Sequence, residues 1–183
     1  MLRVLTGLLL VLWPFMVVFS LTHPQYHWLL PLMALLFVLR WLGLRRQAGA
    51  LAMTGKWLAV SGAALCAASM LLRDHHLLLW YPVAVNAILL LLFASSLFSA
   101  MPLVERLARL RETDLPPRAV AYTRRVTQVW CLFFLMNGGV ALATCLQPSL
   151  FWWTWWNGLI SYLLIGLLMA GEWCVRQRVK AAR

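Results

Sequence analysis

Apolar runs long enough to cross a bilayer alternate with short polar gaps along the whole chain, and the gaps come in two kinds. Residues 4–21 make up 18 positions without a charge. Further runs cover 28–44, 57–72, 77–101, 126–146 and 151–173. A membrane-spanning helix needs roughly 17–25 predominantly apolar residues. The pattern predicts an all-α, polytopic membrane protein with six transmembrane helices in one bundle, and residues 1–183 as a single integral membrane domain. Pro14 is expected to kink the first helix, which neighbouring helices in a bilayer tolerate. The third run is short and must borrow from its flanks, whereas the fourth is long enough to tilt.

The two kinds of gap differ in charge. Arg3 precedes the first run. Arg40, Arg45, Arg46 and Lys56 surround the gap between the second and third. Arg106, Arg109, Arg111, Arg118, Arg124 and Arg125 fill the gap between the fourth and fifth, and Arg176, Arg178, Lys180 and Arg183 follow the sixth. The remaining gaps hold Arg73 alone. Six spans with both termini inside therefore place 15 of the 16 Lys and Arg residues on one face. Cytoplasmic loops retain Lys and Arg, so the expected orientation has both termini in the cytoplasm and the chain in a bacterial inner membrane.

Composition agrees with lipid as the solvent. The 183 residues are 63% hydrophobic and 11% charged, against roughly 25% charged in soluble domains. The net charge of +11 resembles a nucleic-acid signal, but the basic residues flank apolar spans, where they meet anionic headgroups. No nucleic-acid partner is expected. Cys66, Cys131, Cys145 and Cys174 form no C-x-x-C pair, so neither a zinc site nor a disulfide framework is expected. Met1-Leu2-Arg3 and the run after it imitate a signal peptide. Phe19-Ser20-Leu21 is a poor small-residue cleavage site, so the segment is expected to be a retained first helix.

Tryptophan marks the expected boundaries. Trp28, Trp80, Trp152, Trp153, Trp155 and Trp156 lie near the outer ends of runs, and Trp57, Trp130 and Trp173 near the inner ends. Indole rings favour the headgroup level. The dense run 151–156 reads as an interfacial belt, or as a stacking platform for a flat ligand.

The 4–5 segment is the most informative polar stretch. Pro102 suits a helix start. Leu103, Leu107 and Leu110 share one face, and Glu105 and Arg109 are spaced for an i,i+4 ion pair. Thr113-Asp114-Leu115-Pro116-Pro117 then ends the helix. These residues predict an amphipathic helix lying on the cytoplasmic surface between helices 4 and 5. It is either a lipid-surface connector or a docking site. Its candidate partner- or headgroup-binding residues are Glu105, Arg106, Arg109, Arg111, Arg118, Arg124 and Arg125.

Asn86, Asn137, Asn157 and Glu172 are the candidate intramembrane polar groups. The asparagines are expected to join helices through hydrogen bonds. Asn137-Gly138-Gly139 also offers a close backbone approach or a break. Glu172 precedes Arg176 by four residues, the favourable order for an ion pair; the alternative is proton or cation handling. His23, His27, His75 and His76 lie in outer turns as turn polarity or, less in keeping with their spacing, as a metal site. No catalytic motif, metal centre or cofactor is expected.

Residues 101–139 carry a resemblance. Pro102-x-Val104-Glu105-Arg106-Leu107-Ala108-Arg109-Leu110, Asp114-Leu115-Pro116-Pro117, Tyr122-Thr123-Arg124-Arg125-Val126-Thr127, Trp130-Cys131 and Phe133-Phe134-x-x-Asn137-Gly138 resemble a family of small bacterial inner-membrane proteins. Their genes sit in clusters for aryl polyene pigments, made by fatty-acid-synthase-like enzymes on acyl carrier proteins. The resemblance implies a setting in polyene-lipid biosynthesis rather than a reaction. The chain lacks the thiolase-like fold and Cys-His-His set that condensation needs.

Three functions follow as expectations. The first is a non-catalytic membrane component that anchors cytosolic enzymes or an acidic acyl carrier protein through the 4–5 arginines, with membrane lipids as its other partners. The second is a small carrier or flippase for a lipid-linked product, with a cavity lined by Asn86, Asn137, Asn157 and Glu172. The third is a membrane enzyme acting on lipid headgroups through Glu105, Glu112, Asp114 and nearby arginines.

Overall fold

The computed structural model describes residues 2–26, 28–110 and 116–181, with side chains described over 12–23, 25–26, 28–49, 51–74, 76–110 and 116–177. Among these residues the regular structure is helical. In chain order it comprises α1 (Leu2–Thr22), a 3-10 turn (Pro24–Tyr26), α2 (Leu29–Leu44), α3 (Ala50–Leu72) and a second 3-10 turn (His75–Trp80). Then come α4 (Tyr81–Leu97), α5 (Leu103–Arg109), α6 (Pro117–Cys145), α7 (Leu150–Trp155), a π turn (Trp156–Ile160) and α8 (Ser161–Ala181).

Four stretches are long and apolar enough to cross a membrane: Leu51–Leu72, His76–Leu97, Pro117–Cys145 and Leu150–Gln177. Leu12–Thr22 and Leu29–Leu44 are shorter apolar helices. Sixteen residues of α2 rise only about 24 Å, at 1.5 Å per residue. The outer surface of the bundle is apolar: Leu91, Leu132, Leu135, Met136, Leu163, Leu167 and Met169 all point outward. In water such a surface would be an aggregation hazard; in lipid it costs nothing. The chain is a multi-pass helical membrane protein.

The elements depart from the predicted runs at their ends. α3 begins at residue 50 instead of 57, because Thr54, Gly55 and Lys56 are helical rather than part of a loop. Lys56 Nζ reaches back to the carbonyls of Arg45 and Gln47 at 3.1 and 2.9 Å. The cation thereby occupies the negative end of α2. Gly49 turns the chain at φ 104°, a value open to glycine. At its other end α3 stops on Arg73 in the left-handed region, and the Asp74 carboxylate accepts from His76 N to start the 3-10 turn. The long fourth run is therefore broken. Residues 75–80 form a 3-10 turn that carries Leu78 and Leu79 into the core, and the α-helix begins at Tyr81.

The fifth run is extended in the other direction, since α6 takes in Arg118, Arg124 and Arg125. α1 continues as helix through Pro14.

The core gathers around an aromatic group. Trp13 lies 4.5 Å from Tyr81 and 5.1 Å from Phe37, centroid to centroid, and Phe37 lies 5.4 Å from Tyr81. Val17, Met33, Ala59, Cys66, Leu78 and Trp153 surround them. The Phe37 ring sits directly against Gly62, where any larger residue would meet it. That contact fixes how closely α2 and α3 pack. α4 and α6 pair around Phe93 and Phe134, whose rings are 5.2 Å apart.

Candidate functional site

Two polar assemblies stand out within this apolar bundle. The first lies inside it. Asn86 on α4 and Asn137 on α6 are both buried, and Asn137 Nδ2 donates to Asn86 Oδ1 at 3.0 Å. Asn86 Nδ2 in turn donates to the carbonyl of Pro82 at 2.8 Å. Gly138 makes the approach possible, because a Cβ there would stand 3.0 Å from that of Asn86.

Asn137 Oδ1 accepts twice, from Trp156 Nε1 at 3.1 Å and from Ser161 Oγ at 2.8 Å. An indole N–H can only donate, which fixes the oxygen of the amide toward Trp156. Residues 156 and 161 are five apart. In an α-helix they would point about 140° away from each other, at 3.6 residues per turn. The π turn over Trp156–Ile160 closes its ring over five residues and stacks them on one side. The widened turn is thus what lets one oxygen serve both donors.

Asn157 stands inside the same turn. Its Nδ2 donates to Trp153 O at 3.1 Å, closing a carbonyl of the preceding turn, and lies 3.3 Å from Thr144 Oγ1 on α6. Gly158 presents a bare backbone to α1; a Cβ there would sit 3.6 Å from Phe15 and 3.8 Å from Pro14. One turn earlier, Trp153 Nε1 donates to the carbonyl of Leu79 at 3.1 Å, and Cys145 Sγ donates to the same oxygen at 3.0 Å. The 3-10 turn is thereby tied to α6 and α7.

The second assembly is the elbow between α4 and α6. Ser96 Oγ caps the backbone N–H of Leu103 at 3.0 Å. Arg106 donates from Nε to Met101 O at 2.8 Å and from Nη2 to Ser99 Oγ at 3.0 Å. Arg124 Nη2 donates to Leu97 O at 3.1 Å, at the carbonyl end of α4. Glu105 and Arg109 form the predicted pair at 2.8 Å, with side-chain exposures of 3% and 34%. The Glu105 carboxylate is therefore enclosed within the elbow and offers no open surface. Leu103 is buried, while Leu107 and Leu110 point outward.

The named candidates divide accordingly. Arg106 and Arg124 hold backbone carbonyls, and Arg109 holds Glu105. Arg118 and Arg125 stand exposed, seven residues apart on one face of α6, and among the described residues neither has an ion pair or hydrogen bond. Arg111 lies outside the described residues, as do Glu112 and Asp114.

Asn86 and Asn137 come together, while Asn157 bonds separately to Thr144 and Trp153. Glu172 does not join them. It is half-buried far along α8, where its backbone carbonyl accepts from Tyr122 Oη at 3.1 Å. The expected Glu172–Arg176 ion pair is not formed within 4.0 Å among the described residues.

By sequence Trp156 reads only as part of the tryptophan belt or stacking platform, and Ser161, Thr144, Ser96 and Ser99 do not stand out. The five-residue spacing of Trp156 and Ser161 belongs to no familiar helical period, so it gave no signal.

The tryptophan run splits by helical phase. Trp152 and Trp155 face outward, whereas Trp153 is fully buried and Trp156 turns to Asn137. Among the described residues no group of three or more His, Cys, Asp or Glu could hold a metal ion.

Chemically, the buried assembly is closed. Both acceptor oxygens and both amide nitrogens of Asn86 and Asn137 are engaged, which joins α4, α6, the π turn and α8 through hydrogen bonds in a low-dielectric interior. Comparison with protein-family models, with curated proteins and with solved structures finds no match for the chain.

Proposed function

We propose that this protein is a non-catalytic component of a bacterial inner membrane that holds an acidic cytosolic partner at the basic end of its bundle. The observation that carries the reading is the exposed pair Arg118 and Arg125. The other described arginines of the elbow hold the fold together, but these two face outward. Arg45 and Arg46, exposed in the loop after α2, add to the cations of the same side. Clustered exposed guanidiniums capture acidic surfaces and speed their encounter.

The orientation belongs to the same proposal. All six apolar helices cross the bilayer, with α1 and α2 as the first two spans and both termini in the cytoplasm, and α5 rests at the headgroup level. The sorting of 15 of 16 cations to one face supports it. The resemblance over residues 101–139 supports a setting in aryl polyene biosynthesis, where the acidic partner is an acyl carrier protein or an enzyme loaded with one. The closed asparagine assembly speaks against a polar carrier cavity, since its polar atoms are turned to one another.

The test uses the full chain in nanodiscs with purified acyl carrier protein. Arg118→Ala with Arg125→Ala is expected to reduce capture at least tenfold and leave thermal stability unchanged. Organic extracts of a strain lacking the gene are expected to lose a polyene-lipid species that the wild-type chain restores and the double variant does not. Unchanged capture overturns the docking role; an unchanged extract overturns the pathway.

A further inference from the structure

We propose that the π turn at Trp156–Ile160 is a register device: Asn137 holds it open, and closing it turns α8 about its own axis by one residue. The inference is independent of the docking role.

The turn separates two helical segments that face the bundle with different residues. Trp153 before it and Asn157 within it point inward. After it, the inward stripe is Ser161, Ile165, Leu168, Glu172 and Arg176, with steps of four, three, four and four. Those steps are an ordinary α-helical face. A π turn holds one residue more than the α turn it replaces. Were it to close, each later residue would move on by about 100°. The stripe facing α6 would become Ile160, Leu164, Leu167 and Gly171.

Three observations point to a device rather than a fixed irregularity. First, the bonds that favour the open turn converge on one atom. Asn137 Oδ1 receives Trp156 Nε1 and Ser161 Oγ, and an α-helical register could present only one of them. Second, α8 is held lightly. Beyond Ser161 its inward residues are only half-buried, and Tyr122 of α6 grips it by a backbone carbonyl, that of Glu172, rather than by a side chain. Third, the residue that would replace Glu172 on the inward face is small: Gly171 has no side chain to clash as it enters the face that Glu172 leaves. Across from the turn, α1 offers Pro14 and Phe15 side chains to Gly158, an apolar contact. Turning α8 carries the Glu172 carboxylate from its half-buried place toward lipid headgroups and releases Tyr122.

The test reads the phase of α8 in the full chain in nanodiscs. Single spin labels are placed at positions 163–172 in a background whose four cysteines are alanine. Collision with lipid-dissolved oxygen reports which positions face the protein. The parent is expected to show minima at 165, 168 and 172. Trp156→Phe with Ser161→Ala removes both donors and leaves the Asn86–Asn137 bond in place. Its minima are expected at 164, 167 and 171, and Asn137→Leu is expected to do the same. Minima that stay at 165, 168 and 172 in both variants, or a loss of helical period after residue 161, overturn the proposal.

Discussion

Asn137 on α6 donates its side-chain amide to Asn86 on α4 across 3.0 Å of buried space. Each amide also bonds elsewhere, Asn86 to the Pro82 carbonyl and Asn137 with Trp156 and Ser161. The two residues differ in what depends on them. Asn86→Ala leaves one amide group of Asn137 without a partner. Asn137→Ala strands Asn86, Trp156 and Ser161 together. Interhelical polar bonds in bilayers average about 0.6 kcal/mol and reach roughly 1.7 kcal/mol. Asn86→Ala should cost about 1 kcal/mol and Asn137→Ala about 2–3 kcal/mol. Reversible unfolding in mixed micelles measures both, and equal losses would contradict the network.

Glycines are predicted to separate by what their absent side chain would meet. Gly62→Ala places a methyl against the Phe37 ring, inside the aromatic core, and should destabilise by about 1–3 kcal/mol. Gly138→Ala presses on the Asn86 Cβ and should weaken the α4–α6 pair by a smaller amount. Gly139→Ala meets nothing within 4 Å and should be neutral or slightly stabilising through helix propensity. Melting temperatures of the three variants in one detergent would test the ranking.

The ion pair of the elbow is asymmetric. Glu105 is buried, while Arg109 keeps a third of its side chain in contact with the surroundings. Arg109→Ala should therefore strand a buried carboxylate and cost about 3 kcal/mol. Glu105→Ala leaves an arginine that can turn outward, and about 1–2 kcal/mol is expected. The double variant should be more stable than Arg109→Ala alone. A double variant no better than Arg109→Ala would show that the carboxylate is not stranded.

Arginines of α5 and the start of α6 are predicted to fall into two groups. Arg106→Ala frees the Met101 carbonyl and the Ser99 hydroxyl and should cost about 1–2 kcal/mol. Arg106→Lys should recover only part of this, since an ammonium lacks the planar fork. Arg118→Ala and Arg125→Ala should leave unfolding within about 0.5 kcal/mol of the parent. Chemical denaturation of each variant separates the groups.

Hydropathy alone made the class legible. Runs of apolar residues identify membrane helices whatever their neighbours do, because lipid is the common solvent. Helix ends were less legible. Thr54-Gly55-Lys56 reads as loop by polarity, yet it is helical because Lys56 finds carbonyls beyond α2. Arg124 and Arg125 read as loop for the same reason, although a helix can continue past the apolar layer. The Glu105–Arg109 pair was legible from spacing, but its burial was not, because burial depends on the neighbouring elements folding around it. The asparagines were visible as polar groups within spans. Their third partner was hidden, since nothing in a linear pattern announces a π turn.

Lys56 and Arg124 close the carbonyl ends of α2 and α4 from neighbouring helices. In the orientation proposed above, the charges that steer the chain during membrane insertion are also the bolts of its joints. Grafting those cations onto the opposite loops, the usual way to turn a membrane protein upside down, would remove the bolts at the same moment. An inverted chain would arrive with its helix ends undone, so orientation and folding in this protein are one inheritance rather than two.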